Sequence, residues 1–161
     1  MKRKNSKAKA KKLDRVDCEI IKLLQKDGRI PNTEIAKIIG IAEATVRARL
    51  NKLIVEKVIQ IVAVSDPIKL GFEILGNMRI QVESSKKTKV IKELKRLKGV
   101  WFIVLTTGET DIDTEFIAKS LDDLNELILD KIDKIDGIIR TETSLTLKFI
   151  KRQYDWGTAL E

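Results

Sequence analysis

Apolar residues recur at helical spacing three times in the first third of the chain. Spacings of three and four residues place side chains on one face of a helix, so each run predicts an amphipathic helix. The predicted helices begin near Asp14, at Asn32 and at about Ala42, and Gly28 and Gly40 end the first two. Two short helices that meet at a glycine are typical of a helix-turn-helix. The predicted core faces are Val16, Ile20, Leu23 and Leu24 in the first helix, Ile35, Ile38 and Ile39 in the second, and Val46, Leu50 and Leu53 in the third.

The pattern changes after Val55, where Val58 to Val64 form a short run rich in β-branched residues. Such a run predicts a strand, and we expect it to form a small wing that pairs near Arg29-Ile30. Ser65-Asp66-Pro67 follows at once, and proline breaks both helices and strands. We therefore place a hinge at residues 65–70.

The second half of the chain alternates strands and helices in the order βαββαβ. This order is the ferredoxin-like arrangement, with one antiparallel sheet and both helices on one face. The predicted fold class is therefore α+β, a winged helix-turn-helix followed by a ferredoxin-like domain. The other sheet face needs a cover, and we expect a second copy of the chain to provide it. The predicted strands are 74–82, 100–106, 111–118 and 141–151, and the predicted helices are 86–98 and 120–137, the second burying Leu121, Leu124, Leu127, Ile128 and Ile132.

Positive charge is concentrated at the start of the chain. The formal net charge is +8, but residues 1–12 hold seven basic residues and no acid. Like charges this dense stay solvated, so we predict a disordered arm. Such an arm adds salt-sensitive affinity for DNA phosphates, although a solubilising leader or a cloning remnant fits the same residues.

Composition excludes several classes of site. A single cysteine, Cys18, allows no internal disulfide, and the absence of histidine excludes the usual zinc sites. No histidine, phosphate loop or metal cluster accompanies the carboxylates, so we expect no catalytic residues, no metal, no cofactor and no enzyme. No run approaches about 20 apolar residues, so we expect no membrane association and a cytoplasmic, nucleoid-associated protein.

The third helix presents a face suited to double-stranded DNA. When Val46 points to the core, Ala44, Ala48, Asn51 and Lys52 point away, with Thr45 and Arg47 beside them. Arg47 suits guanine or phosphate, Asn51 suits adenine, and the methyl groups suit thymine. Arg49 lies beside the buried stripe, where a phosphate contact or a structural role fits, and Thr33 and Lys37 on the second helix are candidate phosphate contacts. The alternative for each is a solvated helix face.

Six separated motifs together resemble the Lrp/AsnC (feast/famine) family of prokaryotic transcription regulators. They are Leu13-Asp14, Asp17 and Ile20-Ile21 with Gly28-Arg29; Glu34-Ile35-Ala36 with Ile39-Gly40-Ile41; Val46, Arg49-Leu50 and Leu53 with Val58-Ile59; Asp66-Pro67 with Leu70-Gly71; Thr107-Gly108 with Asp111; and Gly137-Ile138, Thr141, Thr143 and Leu147-Lys148. The resemblance implies a DNA-binding domain at 13–64 and an effector-binding and dimerisation domain at 71–152, and it leaves a C-terminal tail at 153–161 outside the match. It also implies a homodimer, assembly into octamers, and control by an amino acid or related metabolite. Ala42 and Lys57 depart from the pattern, because a capping serine and a glycine are usual at these positions.

The connection formed by Thr107, Gly108, Glu109, Thr110 and Asp111 has two interpretations. From its residues it is a hairpin connection in which glycine supplies a positive φ. The resemblance implies an effector loop, in which backbone groups near Gly108 hold an amino-acid moiety and Asp111 pairs with its ammonium. Thr141 and Thr143 would then donate hydroxyls to a carboxylate from a neighbouring subunit.

Asp111, Asp113 and Glu115 alternate along a predicted strand and should share one face of it. Three carboxylates on one face repel one another unless water or cations meet them. They form either a wet or ion-pairing face or a site for a cationic effector such as lysine or arginine.

Two functions fit these features. The first is a sequence-specific transcriptional regulator. The alternative is an architectural protein that coats DNA through charge and multimerisation, with little sequence preference.

Overall fold

The computed structural model describes residues 13–159, so the predicted basic arm at 1–12 lies outside the described residues. The chain forms two compact units, one containing residues 13–63 and 151–159 and the other containing residues 64–150. No helix within the described residues is long and apolar enough to cross a membrane.

The first unit contains three helices, α1 (Arg15–Lys26), α2 (Asn32–Ile39) and α3 (Glu43–Val55). Asp14 caps α1 and accepts a hydrogen bond from the Asp17 backbone N–H at 2.9 Å. Part of the predicted core is confirmed, since Ile20, Ile35, Val46 and Leu53 are buried together with Ile21 and Ala36.

The prediction that Ile38 is buried is wrong, because its side chain is 56% exposed. Ile35 and Ala36 are buried in α2 and Ile39 is partly buried. At 100° per residue, Ile38 lies about 100° from the centre of that stripe. The helix therefore presents an isoleucine at the surface.

The turn between α2 and α3 requires a left-handed residue, and Gly40 supplies it with φ 78°. Its N–H donates to the Ala36 carbonyl at 2.9 Å, which closes the last turn of α2. Ala42 is the N-cap of α3 and has no side chain that can accept a hydrogen bond. The structure therefore agrees with the sequence that α3 has no side-chain cap at its N-terminus.

The predicted wing strand at Val58 to Val64 is wrong, since no residue of this segment is in a strand. Lys57, two residues after the end of α3, has φ 58°, and the Val58 N–H donates to the Leu53 carbonyl at 2.9 Å. The following side chains are largely exposed, and no neighbouring strand within the described residues offers them backbone groups. A β-rich run without a partner strand does not form a ladder.

The tail packs within the first unit. The Gly157 N–H donates to Gln25 Oε1 at 3.0 Å, and Gln25 Nε2 donates to the Gly157 carbonyl at 3.2 Å. One glutamine side chain of α1 therefore satisfies both backbone groups of a residue that is far away in the sequence.

The second unit is a four-stranded antiparallel sheet with strand order β2-β3-β1-β4. This is the order of the ferredoxin-like fold, so the predicted α+β fold class is confirmed. In chain order its elements are β1 (Ile74–Val82), α4 (Lys87–Leu94), β2 (Val100–Leu105), β3 (Ile112–Ala118), α5 (Leu121–Asn125), which continues as a π-helical segment (Glu126–Ile132), and β4 (Ile138–Leu145).

One face of the sheet carries the core of this unit, where Met78, Ile80 and Phe116 pack with Val90 and Leu94 of α4. Gly76 lies in β1 beside the Phe116 ring. A Cβ there would lie 2.6 Å from Phe116 Cζ and 2.4 Å from the Ser144 carbonyl oxygen. Only glycine fits this position, because both neighbours approach its backbone.

Several predicted boundaries are wrong. Strand β4 ends at Leu145 instead of residue 151, and Leu147 is 98% exposed. Strand β4 ends there because its antiparallel partner β1 begins there: Leu145 lies opposite Gly76, near the start of β1. Helix α4 ends at Leu94 instead of 98. The prediction that Leu121 is buried is wrong, because this first residue of α5 is 64% exposed, and the buried face begins at Leu124.

Candidate functional site

The outward face of α3 has the predicted orientation. Val46 and Leu53 are buried beneath it. The side chains of Ala44, Thr45, Arg47, Ala48, Asn51 and Lys52 are all exposed on the same helix. Ala44, Thr45 and Ala48 are small, and they permit a close approach of this part of the helix to a groove floor.

The two arginines of α3 differ in their surroundings. Arg47 donates to Glu43 Oε1 at 2.5 Å, one turn earlier on the same helix, and its side chain is 65% exposed. An exposed pair of this kind is weak and exchanges readily with another anion. Arg47 is therefore available to a phosphate or a base.

Arg49 is held by the first helix. Its Nη1 donates to Asp14 Oδ2 at 2.5 Å and to Asp17 Oδ1 at 2.8 Å, and Asp17 is buried. The backbone hydrogen bond from Asp17 and then the Arg49 contact lower the pKa of the Asp14 carboxyl. Hydrogen bonds to Asp14 and Asp17 raise the pKa of Arg49. Of the two roles expected for Arg49, this geometry favours the structural one.

Thr33 and Lys37 of α2 are both exposed. Lys37 makes no ion pair with any other residue in the range 13–159. Both side chains are free to contact phosphate, and their assignment to DNA stays a prediction.

The loop between β2 and β3 is closed by its own backbone. The Thr106 N–H donates to the Asp111 carbonyl at 3.0 Å, and Thr106 Oγ1 donates to the Thr110 carbonyl at 3.1 Å. Gly108 has φ 121°. Thr107, Gly108 and Glu109 are exposed at the tip of this loop, where a ligand could reach their backbone groups.

Asp111 connects this loop to two other elements. Its Oδ1 accepts from Lys87 Nζ at 2.7 Å, and its Oδ2 accepts from the Val82 N–H at 3.0 Å. These two contacts, Lys87 first, hold the pKa of the Asp111 carboxyl below its usual range. Because both oxygens already have donors, a ligand ammonium would have to share this carboxylate. The sequence pattern gave no sign of Lys87, which is 24 positions away.

The two threonines expected near the loop lie on β4. Thr141 lies opposite Ile80, whose carbonyl accepts the Asp111 N–H. Thr143 lies opposite Met78, two residues further from the loop. The structure therefore brings Thr141 to the loop end of the sheet and leaves Thr143 nearer its middle.

The expected row of three carboxylates is wrong for Asp111. Asp113 and Glu115 lie on the sheet face opposite the helices, whereas Asp111 contacts Lys87 of α4. On that outer face Arg79 pairs with Glu142 at 2.7 Å. Asp113 Oδ1 is buried without a hydrogen-bond partner in the described part of the chain.

Two family models match the chain. An AsnC-type helix-turn-helix domain covers residues 13–54, and an Lrp/AsnC ligand-binding domain covers residues 77–156. The chain belongs to the Lrp/AsnC family. The second match ends four residues beyond residue 152, the end expected for the effector-binding domain.

Relatives of this Lrp/AsnC protein support the assignment along most of its length. An HTH-type transcriptional regulator of Pyrococcus abyssi is 42% identical over 148 residues, which cover 91% of each chain. E. coli AsnC has a TM-score of 0.80 at 26% identity and covers 88% of this chain and 97% of its own. A Neisseria meningitidis regulator in complex with L-Met has a TM-score of 0.81 at 21% identity and covers 89% of this chain and 96% of its own, which shows a shared fold.

The Lrp/AsnC protein is thus a helix-turn-helix transcriptional regulator with a ligand-binding domain. The family inferred from the six motifs and the fold class predicted from the order of helices and strands are both confirmed. The individual DNA and effector contacts stay predictions.

Proposed function

We propose that this regulator recognises a specific DNA sequence through the outward face of α3. The observation that supports the proposal is the contrast between two arginines on one helix. Arg49 is fixed against Asp14 and Asp17, whereas Arg47 and its exposed neighbours remain available. A helix held rigidly by one arginine can present another to base edges.

A selection from random duplex DNA tests this proposal. The full chain and a version beginning at Leu13 should recover the same inverted repeat. Arg47→Ala should then lower affinity for the selected site by roughly 10-fold to 100-fold and affinity for random DNA by much less. Equal losses on both DNAs would rule out base recognition by Arg47.

Removing residues 1–12 separates the regulator from the architectural alternative. We expect the shorter version to bind selected and random DNA more weakly by the same factor, with a shallower dependence on salt. If no motif is recovered and binding disappears without the arm, the protein coats DNA without sequence preference.

We further propose that the protein is a homodimer formed through the outer face of its C-terminal sheet, with octamers as the higher assembly. Phe102 and Val104 are partly exposed on this face, beside side chains of both charges. A surface with both signs of charge can complement itself across a two-fold axis. Asp113 Oδ1 would gain a donor from the second copy.

The proposed effector is an amino acid or a related metabolite at the loop formed by residues 106–111. The exposed backbone at Gly108 and the neighbouring charged pair support it, as does a protein of the same fold solved with L-Met. Titration with the amino acids, monitored by DNA affinity, tests it. The proposal fails if no amino acid changes the affinity or the oligomeric state.

A further inference from the structure

A groove of about 470 Å³ lies at the opposite end of the sheet from the proposed effector loop. Gly99, Ile117 and Lys119 line it, at the start of β2 and the end of β3, whereas the loop follows β2 and precedes β3. The length of β3 separates the two places by roughly 20 Å. The groove is therefore a separate feature, and its volume is in the range of small-molecule sites.

The floor of the groove is apolar. Leu97, Ile117 and Leu127 line it together with Phe72 and Gly99. A Cβ at Gly99 would lie 3.0 Å from the Ile117 carbonyl oxygen and 3.1 Å from Leu127 Cδ2. The backbone at Gly99 is thus packed closely against its neighbours, and no side chain from this position enters the groove.

The remaining lining is mainly cationic, with Arg96, Lys98, Lys119 and Lys131 against the single carboxylate of Asp123. Arg96 pairs with Glu93 at 2.9 Å, and Lys131 pairs with Glu126 at 2.8 Å. Among residues 13–159, neither Lys98 nor Lys119 has an ion-pair partner.

Asp123, the acidic residue that lines the groove, already accepts a hydrogen bond. Asp123 Oδ2 accepts the backbone N–H of Lys119 at 2.9 Å, and the Asp123 N–H donates to Ser120 Oγ at 3.2 Å. Its hydrogen bond to the Lys119 backbone fixes the start of α5 beside the end of β3. Lys98 and Lys119 therefore line the groove beside its apolar residues, and Asp123 forms an ion pair with neither of them.

We propose that this groove binds a small organic anion, one that carries a carboxylate or phosphate group on an apolar portion. Lys98 and Lys119 contact the anionic group, and the floor formed by Leu97, Ile117 and Leu127 contacts the apolar portion. A concave apolar floor suits a small molecule better than a nucleic-acid backbone, which is a convex polyanion. The site shares no residue with the α3 surface or with the effector loop.

The experiment uses the full chain without DNA at physiological ionic strength. Phenyl phosphate and hexanoate are the probes, and saturation-transfer NMR titrations give their affinities. Lys98→Gln combined with Lys119→Gln should weaken binding of the better probe at least 10-fold. Lys92→Gln combined with Lys95→Gln removes the same charge from exposed positions outside the groove and should change it less than about 2-fold.

Further probes separate the two parts of the site. Inorganic phosphate and phenol should each bind more weakly than phenyl phosphate, because each lacks one of the two contacts. Equal weakening by both double variants, or equal binding of phenol, would overturn the proposal. The absence of probe binding would also overturn it. If in that case the groove variant alters the oligomeric state, the groove is an interface between copies of the chain. None of these readouts depends on DNA recognition or on the effector loop.

Discussion

At the scale of single residues, the first unit contains a well-paired arginine, Arg49, and an uncapped helix N-terminus, that of α3. Arg49 connects α3 to the beginning of α1 through two carboxylates, one of them buried. Removing one partner of such a group leaves the other uncompensated. Arg47 and Arg49 are two residues apart, so the recognition role proposed for the first and the structural role of the second can be tested separately.

We expect Arg49→Met to lower the melting temperature by several degrees and Arg47→Ala to leave it nearly unchanged. The reason is that Arg49 meets the buried Asp17, whereas Arg47 has only an exposed pair within its own helix. Thermal unfolding followed by circular dichroism measures both. A small effect of Arg49→Met would show that the contact with Asp14 and Asp17 is not structural.

The N-terminus of α3 has no side-chain cap. Ala42 leaves the first turn of this helix without a side-chain acceptor. We expect Ala42→Ser to stabilise the protein by about 1 kcal/mol, since serine at an N-cap accepts a hydrogen bond from the first turn. Urea unfolding measures the change, with Ala44→Ser, inside the helix, as a control that should not stabilise. No gain at position 42 would indicate that its backbone cannot hold the cap geometry.

At the scale of elements, local periodicity was sufficient to predict the order and type of nearly all helices and strands. Repeats such as Val46 with Leu53, or Met78 with Ile80, indicate burial directly from the sequence. Features that depend on distant partners were not predictable. The wing run at Val58 to Val64 has β-branched residues but no partner strand, and Lys87 lies far from Asp111 in the sequence.

The effector loop shows the same limit. The resemblance implied that Asp111 contacts a ligand, which stays a prediction, and the structure adds that its carboxylate accepts hydrogen bonds from the Val82 N–H and from Lys87. Short-range sequence patterns draw attention to Asp111, but they do not show that both of its carboxylate oxygens already accept hydrogen bonds. Arg49 is a parallel case, since its partner Asp14 is 35 positions away.

An ion-pair cluster joins α4 to the turn before β4. Asp136 accepts from Lys86 at 2.6 Å and from Lys89 at 2.9 Å. These two hydrogen bonds, Lys86 first, lower the pKa of the Asp136 carboxyl from 3.8 to about 2. Because the folded pKa lies below the unfolded value, the cluster stabilises the fold fully above about pH 4 and loses its effect as the pH falls towards 2.

We therefore expect the melting temperature of the unmodified protein to fall more steeply between about pH 4 and pH 2 than that of Asp136→Asn. Scanning calorimetry across this range measures the difference. Asp133→Asn is the control, since Asp133 has no ion pair in the described part of the chain. Parallel pH profiles for Asp136→Asn and the unmodified protein would contradict the role of the cluster.

At the scale of the whole molecule, helices cover one face of the C-terminal sheet, whereas the other face, here called the open face, carries exposed apolar side chains. Ile103 is partly buried on the covered side of β2, whereas Phe102 and Val104 alternate onto the open side, at 42% and 40% exposure. Two inverted half-sites on DNA require two recognition helices. A dimer formed through this open face would carry both recognition helices in one molecule.

Val104→Lys tests this assembly. Val104 lies opposite Asp113, so the new ammonium can meet an unpaired carboxylate within the same chain while it makes the face polar. We expect the dimer to dissociate while the fold is retained, as measured by sedimentation equilibrium and circular dichroism. Affinity for an inverted repeat should then fall to that for a single half-site. Leu129→Lys adds the same charge at an exposed leucine on the helical side and should leave the dimer intact. If Val104→Lys also remains dimeric, the subunits associate through another surface.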